Sequence, residues 1–173
     1  TLKGLGPRSL DSLGPYPLSP MQEGMLFESV LAPDNGVNIQ QVLIALDEDV
    51  EAAVFEAAWR RLFRRHAVLR NRFRWAGLER PVQEEEGAAE LEFALRDLRD
   101  SADPQAEIER YLAEDRRRGF DLRSAPLSRA VLFRTAAGRY EFLWTFHHIL
   151  LDGRSTTDAL AEAFADYATG RSG

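Results

Sequence analysis

Two apolar runs that face each other across a short turn limit the folds open to this chain. Arg129-Ala-Val131-Leu-Phe133-Arg134 and Tyr140-Glu-Phe142-Leu-Trp144-Thr-Phe146 are joined by Thr135-Ala-Ala-Gly138, which predicts an antiparallel β-hairpin. The second strand runs on into His147-His148-Ile-Leu-Leu-Asp152-Gly153-Arg-Ser155, a pair of histidines followed by a turn with a carboxylate and a glycine, then a helix start. A strand end suits a base, because the ladder holds the backbone while the side chain projects beyond it. His147 and His148 are adjacent, so on a strand they point to opposite faces, and one of them at most faces a given cavity.

The remaining composition bounds the setting. With 173 residues, 45% of them hydrophobic, the chain suits one globular domain with a real core. A formal charge of -6 gives no reason to expect nucleic acid or an anionic membrane as a partner. Basic residues cluster at Arg60, Arg61, Arg64 and Arg65 and at Arg116, Arg117 and Arg118, for which solvated helix faces are the simpler reading. The count of cysteines is 0, which excludes disulfides, thiolate catalysis and cysteine metal sites. No apolar run reaches the roughly 20 residues of a membrane span. The N-terminus lacks a signal-peptide pattern, so a cytoplasmic protein is expected. Neither a nucleophile-elbow glycine–serine motif nor a phosphate loop is present, and no histidine pair has metal-ligand spacing, so no metal is expected.

Along the chain, Gly4, Gly6, Pro7, Gly14 and Pro15 suit a linker over residues 1–15, with the packed unit counted over 16–170. Ser19-Pro20-Met-Gln22 is a capping box with proline at the first helical position, and the helix it opens must stop before Pro33. Residues 37–46 read as a strand, apolar on both faces near its end and so covered on both sides. Phe55, Ala58, Trp59, Leu62, Phe63 and His66 recur at helical spacing, predicting an amphipathic helix over 50–66 with His66 as a core histidine. Residues 69–75 read as a strand, and 81–84 and 91–95 as weaker ones. Asp103-Pro104 opens a helix that buries Ile108, Tyr111 and Leu112 and ends near Gly119. The last helix begins at Ser155 and buries Leu160, Ala163, Phe164 and Tyr167.

Two roles are open to Asp152. It can pair with His148 as in a triad and orient the ring, or turn inward to meet an arginine and pin the loop. Taken singly, a histidine at a strand end is more often structural than catalytic, and an Asp-Gly pair is usually a turn.

His147-His148-Ile-Leu-Leu-Asp152-Gly153 resembles the His-His-x-x-x-Asp-Gly motif of condensation domains from nonribosomal peptide synthetases. Leu18-Ser-Pro-Met-Gln22-Glu-Gly24-Met-Leu-Phe27 is similar to the family's first core motif, and Arg65-His66-Ala-Val-Leu69-Arg70-Asn-Arg72-Phe73 to its second. Phe120-Asp-Leu with Pro126-Leu also resembles a recurrent family segment, and the order of all these stretches is the family's.

The resemblance implies an α+β fold: a two-layer α/β sandwich whose mixed, largely antiparallel sheet is covered by helices, one of a pair of chloramphenicol-acetyltransferase-like lobes with a tunnel between them. It further implies peptide-bond formation in antibiotic-type secondary metabolism. An acceptor amine attacks a donor thioester, each held on the phosphopantetheine arm of a carrier protein, with no cofactor bound by the lobe itself. His148 is then the catalytic histidine, and the Gly153 N–H helps to hold the oxyanion. His147 and Asp152 are structural, Asp152 in a salt bridge to Arg70, with Arg65 in reserve. Arg154 stands where the family often has tryptophan.

A full condensation domain is about twice this length, and the matches fall in its N-terminal lobe. The partners implied are donor and acceptor carrier proteins and the C-terminal lobe, and the isolated lobe is expected to be inactive. Alternatives are an epimerisation lobe, in which His148 moves an alpha proton, and a non-catalytic lobe that docks carriers or assembles with its own copies. Heterocyclisation is disfavoured, because an Asp-x-x-x-x-Asp pattern does not replace the histidines.

Overall fold

The computed structural model describes residues 14–33 and 35–171. Most of the expected linker therefore lies outside the described residues. Tyr16–Pro17 forms β1, followed by α1 (Pro20–Leu31), β2 (Ile39–Leu46), α2 (Ala52–Arg65), β3 (Asn71–Arg74), β4 (Val82–Glu85), β5 (Glu92–Asp97), α3 (Pro104–Arg118), β6 (Ser128–Ala136), β7 (Arg139–His147) and α4 (Gly153–Arg171).

The strands form a four-stranded sheet in the order β2-β7-β6-β5 and a three-stranded sheet in the order β1-β4-β3. Pairing is antiparallel except between β5 and β6, which run parallel and are connected through α3. The predicted hairpin is the centre of the larger sheet, with Val131 opposite Leu143 and Ala130 opposite Trp144. Gly138 takes a positive φ of 64° in its turn, a conformation that favours glycine.

Alternation along β7 builds two cores. Phe142, Trp144 and Phe146 point to the layer of α2 and α4, where they meet Phe55, Trp59, Leu62, Ala163 and Tyr167. The Trp59 ring lies 4.6 Å from Phe142 and 5.0 Å from Trp144, centroid to centroid. Leu143 points the other way and joins Val131, Phe133, Leu98 and Ile108 under α3, with Tyr111 and Leu112 at its margin. Period two in the strands and period 3.6 in the helices therefore meet in a sheet covered by helices, the α+β architecture expected.

A buried ion pair fixes α3 to the sheet. The Arg129 guanidinium donates to Asp115, to the Gly119 carbonyl at 2.8 Å and to the Asp115 carbonyl at 2.7 Å. The same carboxylate accepts from Thr145 Oγ1 at 2.6 Å and Gln41 Nε2 at 2.9 Å.

Several expectations need correction. β2 is an edge strand whose Val42, Ile44 and Leu46 are partly buried against the core on one face, while on the other α3 reaches it only through Gln41 and Leu43 stays 39% exposed. Residues 67–70 form a 3₁₀ turn rather than the start of β3, although Leu69, Asn71 and Phe73 are all buried as a strand pattern would have them. His66 is not a core histidine; it caps the end of α2, and its half-exposed ring meets Glu162 of α4 at 2.7 Å. Neighbouring Arg65 binds Glu162 as well, so these polar groups join α2 to α4. The basic clusters are largely matched within the chain, through Arg60–Glu56, Arg61–Asp166 and Arg118–Glu92.

Candidate active site

β7 ends at His147, and the backbone from His147 to Leu150 is held by hydrogen bonds. His147 N–H donates to the Leu127 carbonyl at 3.0 Å, His148 N–H to the Asn38 carbonyl at 2.8 Å, and Leu150 N–H to the His147 carbonyl at 3.1 Å. Ile149, Leu150 and Leu151 are all buried, so the turn is an apolar plug beneath the exposed Asp152 and Gly153.

The two rings have different surroundings. His147 is 3% exposed. Its Nδ1 accepts the Ile149 N–H at 3.1 Å, which places its proton on Nε2, 3.0 Å from Ser29 Oγ. Burial, with a smaller contribution from the charge of His148, holds its pKa down at about 4, so the ring is neutral near pH 7. Asn38 Nδ2 donates to the same Ser29 hydroxyl at 3.1 Å. His147 lines a groove of about 410 Å³ together with Ser29, Asn38, Trp75, Phe120 and Leu122.

His148 is only partly buried. Its Nδ1 lies 2.9 Å from the Leu151 carbonyl, an acceptor only, so Nδ1 is the donor and in the neutral ring the lone pair falls on Nε2. A neutral imidazole held in one tautomer, with a basic nitrogen left over, can accept a proton from a nucleophile or orient it by hydrogen bonding.

Asp152 takes neither role offered by the sequence. Its Oδ1 accepts the Ser155 N–H at 2.7 Å, and its carbonyl accepts the Thr156 N–H at 2.9 Å. It caps α4, which begins at Gly153 and not at Ser155. The Ser155 N–H, chiefly, holds the Asp152 carboxyl below its ordinary range. The expected salt bridge to Arg70 is not formed. Arg70 instead donates to the Phe63 and Arg64 carbonyls, both at 2.6 Å, and pairs with Glu85 of β4, which places a cation at the C-terminal end of α2. Arg65, the reserve, is taken by Glu162 and Asp166.

Gly153 is exposed in the first turn of α4, and a Cβ built on it meets nothing within 4 Å. The chain's own packing therefore does not require glycine there. Arg154 is 93% exposed and lies 4.0 Å from Asp158.

One contributor was hidden from sequence reasoning. Gln22, legible as the partner of Ser19 in the capping box, also donates from Nε2 to the Ile149 carbonyl at 3.0 Å. No local signal announces a contact that spans 127 positions. Among the described residues no cluster of three or more histidine, cysteine, aspartate or glutamate side chains could hold a metal, and no helix is long and apolar enough to cross a membrane.

The family model described as Condensation domain matches residues 12–173. The chain belongs to the condensation domain family. A linear gramicidin synthase protein of Brevibacillus parabrevis is 42% identical over 155 residues, covering 88% of this chain and 3% of that protein. Bacitracin synthase 3 of Bacillus licheniformis is 39% identical over 158 residues, covering 91% of this chain and 2% of that protein. This condensation-domain chain thus spans only a few hundredths of the length of those synthases. Among solved structures, the starter condensation domain of rhizomide synthetase is 26% identical with a TM-score of 0.85, covering 92% of this chain and 38% of that one. The first condensation domain of the calcium-dependent antibiotic synthetase, 24% identical with a TM-score of 0.83 over 94% of this chain and 41% of that one, shares the fold. The chloramphenicol-acetyltransferase-like lobe expected from the motifs is the fold present.

Proposed function

We propose that this chain is the histidine-bearing N-terminal lobe of a condensation site that forms an amide between two carrier-bound substrates. The observation that carries the reading is the His148 ring, whose Nδ1 proton is engaged by the Leu151 carbonyl while Nε2 keeps its lone pair at a partly open position. An acceptor amine placed at Nε2 would attack the carbonyl carbon of a donor thioester. The C–N bond forms, the C–S bond breaks, the amine proton is passed by way of Nε2, and the thiolate of the donor arm leaves as the thiol. His147 lines the neighbouring groove, but its Nδ1 lone pair is taken by the Ile149 N–H and its pKa is held down at about 4, so it does not compete for that proton.

The Gly153 N–H, at the positive end of α4, is assigned to the developing oxyanion, and the open space around its Cα leaves room for a substrate to approach. Support for thioester substrates comes from a variant of the rhizomide synthetase starter condensation domain solved in complex with C8-CoA and Leu-SNAC, 25% identical with a TM-score of 0.78. The implied partners are donor and acceptor carrier proteins, whose phosphopantetheine arms bring the substrates, and a C-terminal lobe that closes the site. Alone, the lobe is assigned no turnover, because nothing in it fixes two arms in reacting geometry or excludes water.

The test supplies carrier-loaded donor and acceptor to the complete domain containing this lobe. A dipeptidyl thioester on the acceptor carrier is the expected product. Alpha-proton exchange without a new amide would select epimerisation instead, and carrier binding with neither reaction would leave a docking lobe.

A further inference from the structure

The hydrogen bonds of Gln22 form a closed set. Its Oε1 accepts the Ser19 N–H at 3.0 Å and the Gln83 Nε2 donor at 3.0 Å. Its Nε2 donates to the Ile149 carbonyl at 3.0 Å and to Gln83 Oε1 at 3.3 Å. A primary amide offers two acceptor sites and two donors, and all are used here. Gln83, 5% exposed, is fixed in turn by Asn71, whose Nδ2 donates to Gln83 Oε1 at 3.1 Å and to Tyr16 Oη at 2.6 Å. The amide pair thus ties α1 and the small sheet to one carbonyl of the histidine turn.

That carbonyl sits between the functional atoms. Ile149 donates its N–H to His147 Nδ1 and offers its C=O to Gln22, and two residues later Leu151 supplies the carbonyl that holds His148 Nδ1. Ile149 is 2% exposed, so its carbonyl without Gln22 would be buried and unpaired, and the turn would have reason to rotate. Rotation of the turn moves the Leu151 carbonyl and releases the His148 proton to either ring nitrogen.

We infer that Gln22 is a positioning residue for His148, acting through the Ile149 carbonyl to keep Nε2 as the basic nitrogen. The inference rests on the proposed role of His148, but its main readout, the ring tautomer, does not depend on turnover. Gln22→Glu keeps the size and both acceptor sites while removing both donors. Gln22→Met removes the donors and the acceptors.

With histidine labelled at its ring nitrogens, the unsubstituted chain is expected to show His148 protonated on Nδ1 and both variants a mixture of tautomers. In the complete domain the variants should lose about 10- to 100-fold in kcat with KM little changed, the pattern of a misplaced catalytic group. Folded variants with the tautomer and kcat of the parent would overturn the inference. Should both variants fail to fold, the parent alone still decides: a slowly exchanging Gln22 side-chain amide together with His148 protonated on Nδ1 supports the inference, and either exchange at the solvent rate or a mixture of His148 tautomers beside the slow amide refutes it. An inactive His148→Ala domain beside unaltered Gln22 variants would reject only this inference. An active His148→Ala domain would reject the role of His148 itself.

Discussion

His148 Nδ1 lies 2.9 Å from the Leu151 carbonyl, whereas His147 Nδ1 lies 3.1 Å from the Ile149 N–H; one ring nitrogen must donate and its neighbour's counterpart must accept. Adjacent histidines are thereby held as opposite tautomers. Ring-nitrogen NMR of the folded chain at about pH 8, above the ordinary histidine range, should find the proton of His148 on Nδ1 and that of His147 on Nε2. The same tautomer at both positions would contradict the geometry described.

His147 should make stability fall in mild acid. Its folded pKa of about 4 lies below the ordinary 6.5, so below about pH 6.5 the unfolded chain takes up a proton that the folded chain refuses. The loss begins as pH falls below the unfolded value and is complete near pH 4. Between about pH 7 and 5 it amounts to roughly 2 kcal/mol. Urea unfolding of the parent and of His147→Gln should therefore show a shallower acid decline in the variant, the carboxylates contributing alike to both. Parallel declines would mean that His147 is not buried in its neutral form.

Asp152 and Arg70 should act independently. Asp152 caps α4 and Arg70 holds the end of α2 to Glu85, so the stability losses from Asp152→Ala and Arg70→Ala should add in the double variant. Asp152→Ser should recover much of the cap, because a hydroxyl can accept the same N–H. A coupling well outside additivity would restore the salt bridge that the motif resemblance led us to expect.

The Arg129–Asp115 pair should dominate the cost of polar substitutions. Both side chains are nearly inaccessible, and Asp115→Ala would leave a buried guanidinium without its carboxylate, a loss of about 3–5 kcal/mol. Glu56→Ala, which removes the surface partner of Arg60, should cost less than about 1 kcal/mol. Equal losses in urea unfolding would show that Asp115 is compensated in some other way.

What could be read from the sequence was local. The capping box at Ser19 and Gln22 needs only four neighbouring residues, and the hairpin at residues 128–147 declares itself through period two and a glycine turn. The histidine pair is legible as two adjacent residues, but β7 ends at His147 and His148 lies in the turn beyond it, so hydrogen bonds of the turn and not strand alternation set the two rings apart. The signal of Asp152 is local too, but two residues compete for it: Asp152 and Ser155 both satisfy the helix-capping rule, and only the packed turn selects Asp152. The partners of Arg70 and the reach of Gln22 to Ile149 depend on how elements pack, which neither pattern nor spacing encodes. His66 shows the converse, a residue at core spacing that the end of α2 turns outward to Glu162.

The proposed role of His148 is to handle the proton of the attacking amine through Nε2. It is tested most directly by the rate of amide formation between carrier-loaded donor and acceptor, comparing the complete domain with its His148→Ala variant in a single turnover. A fall of about a hundredfold or more is expected, with folding unchanged. Amide formation at the parent rate by the folded variant would contradict it.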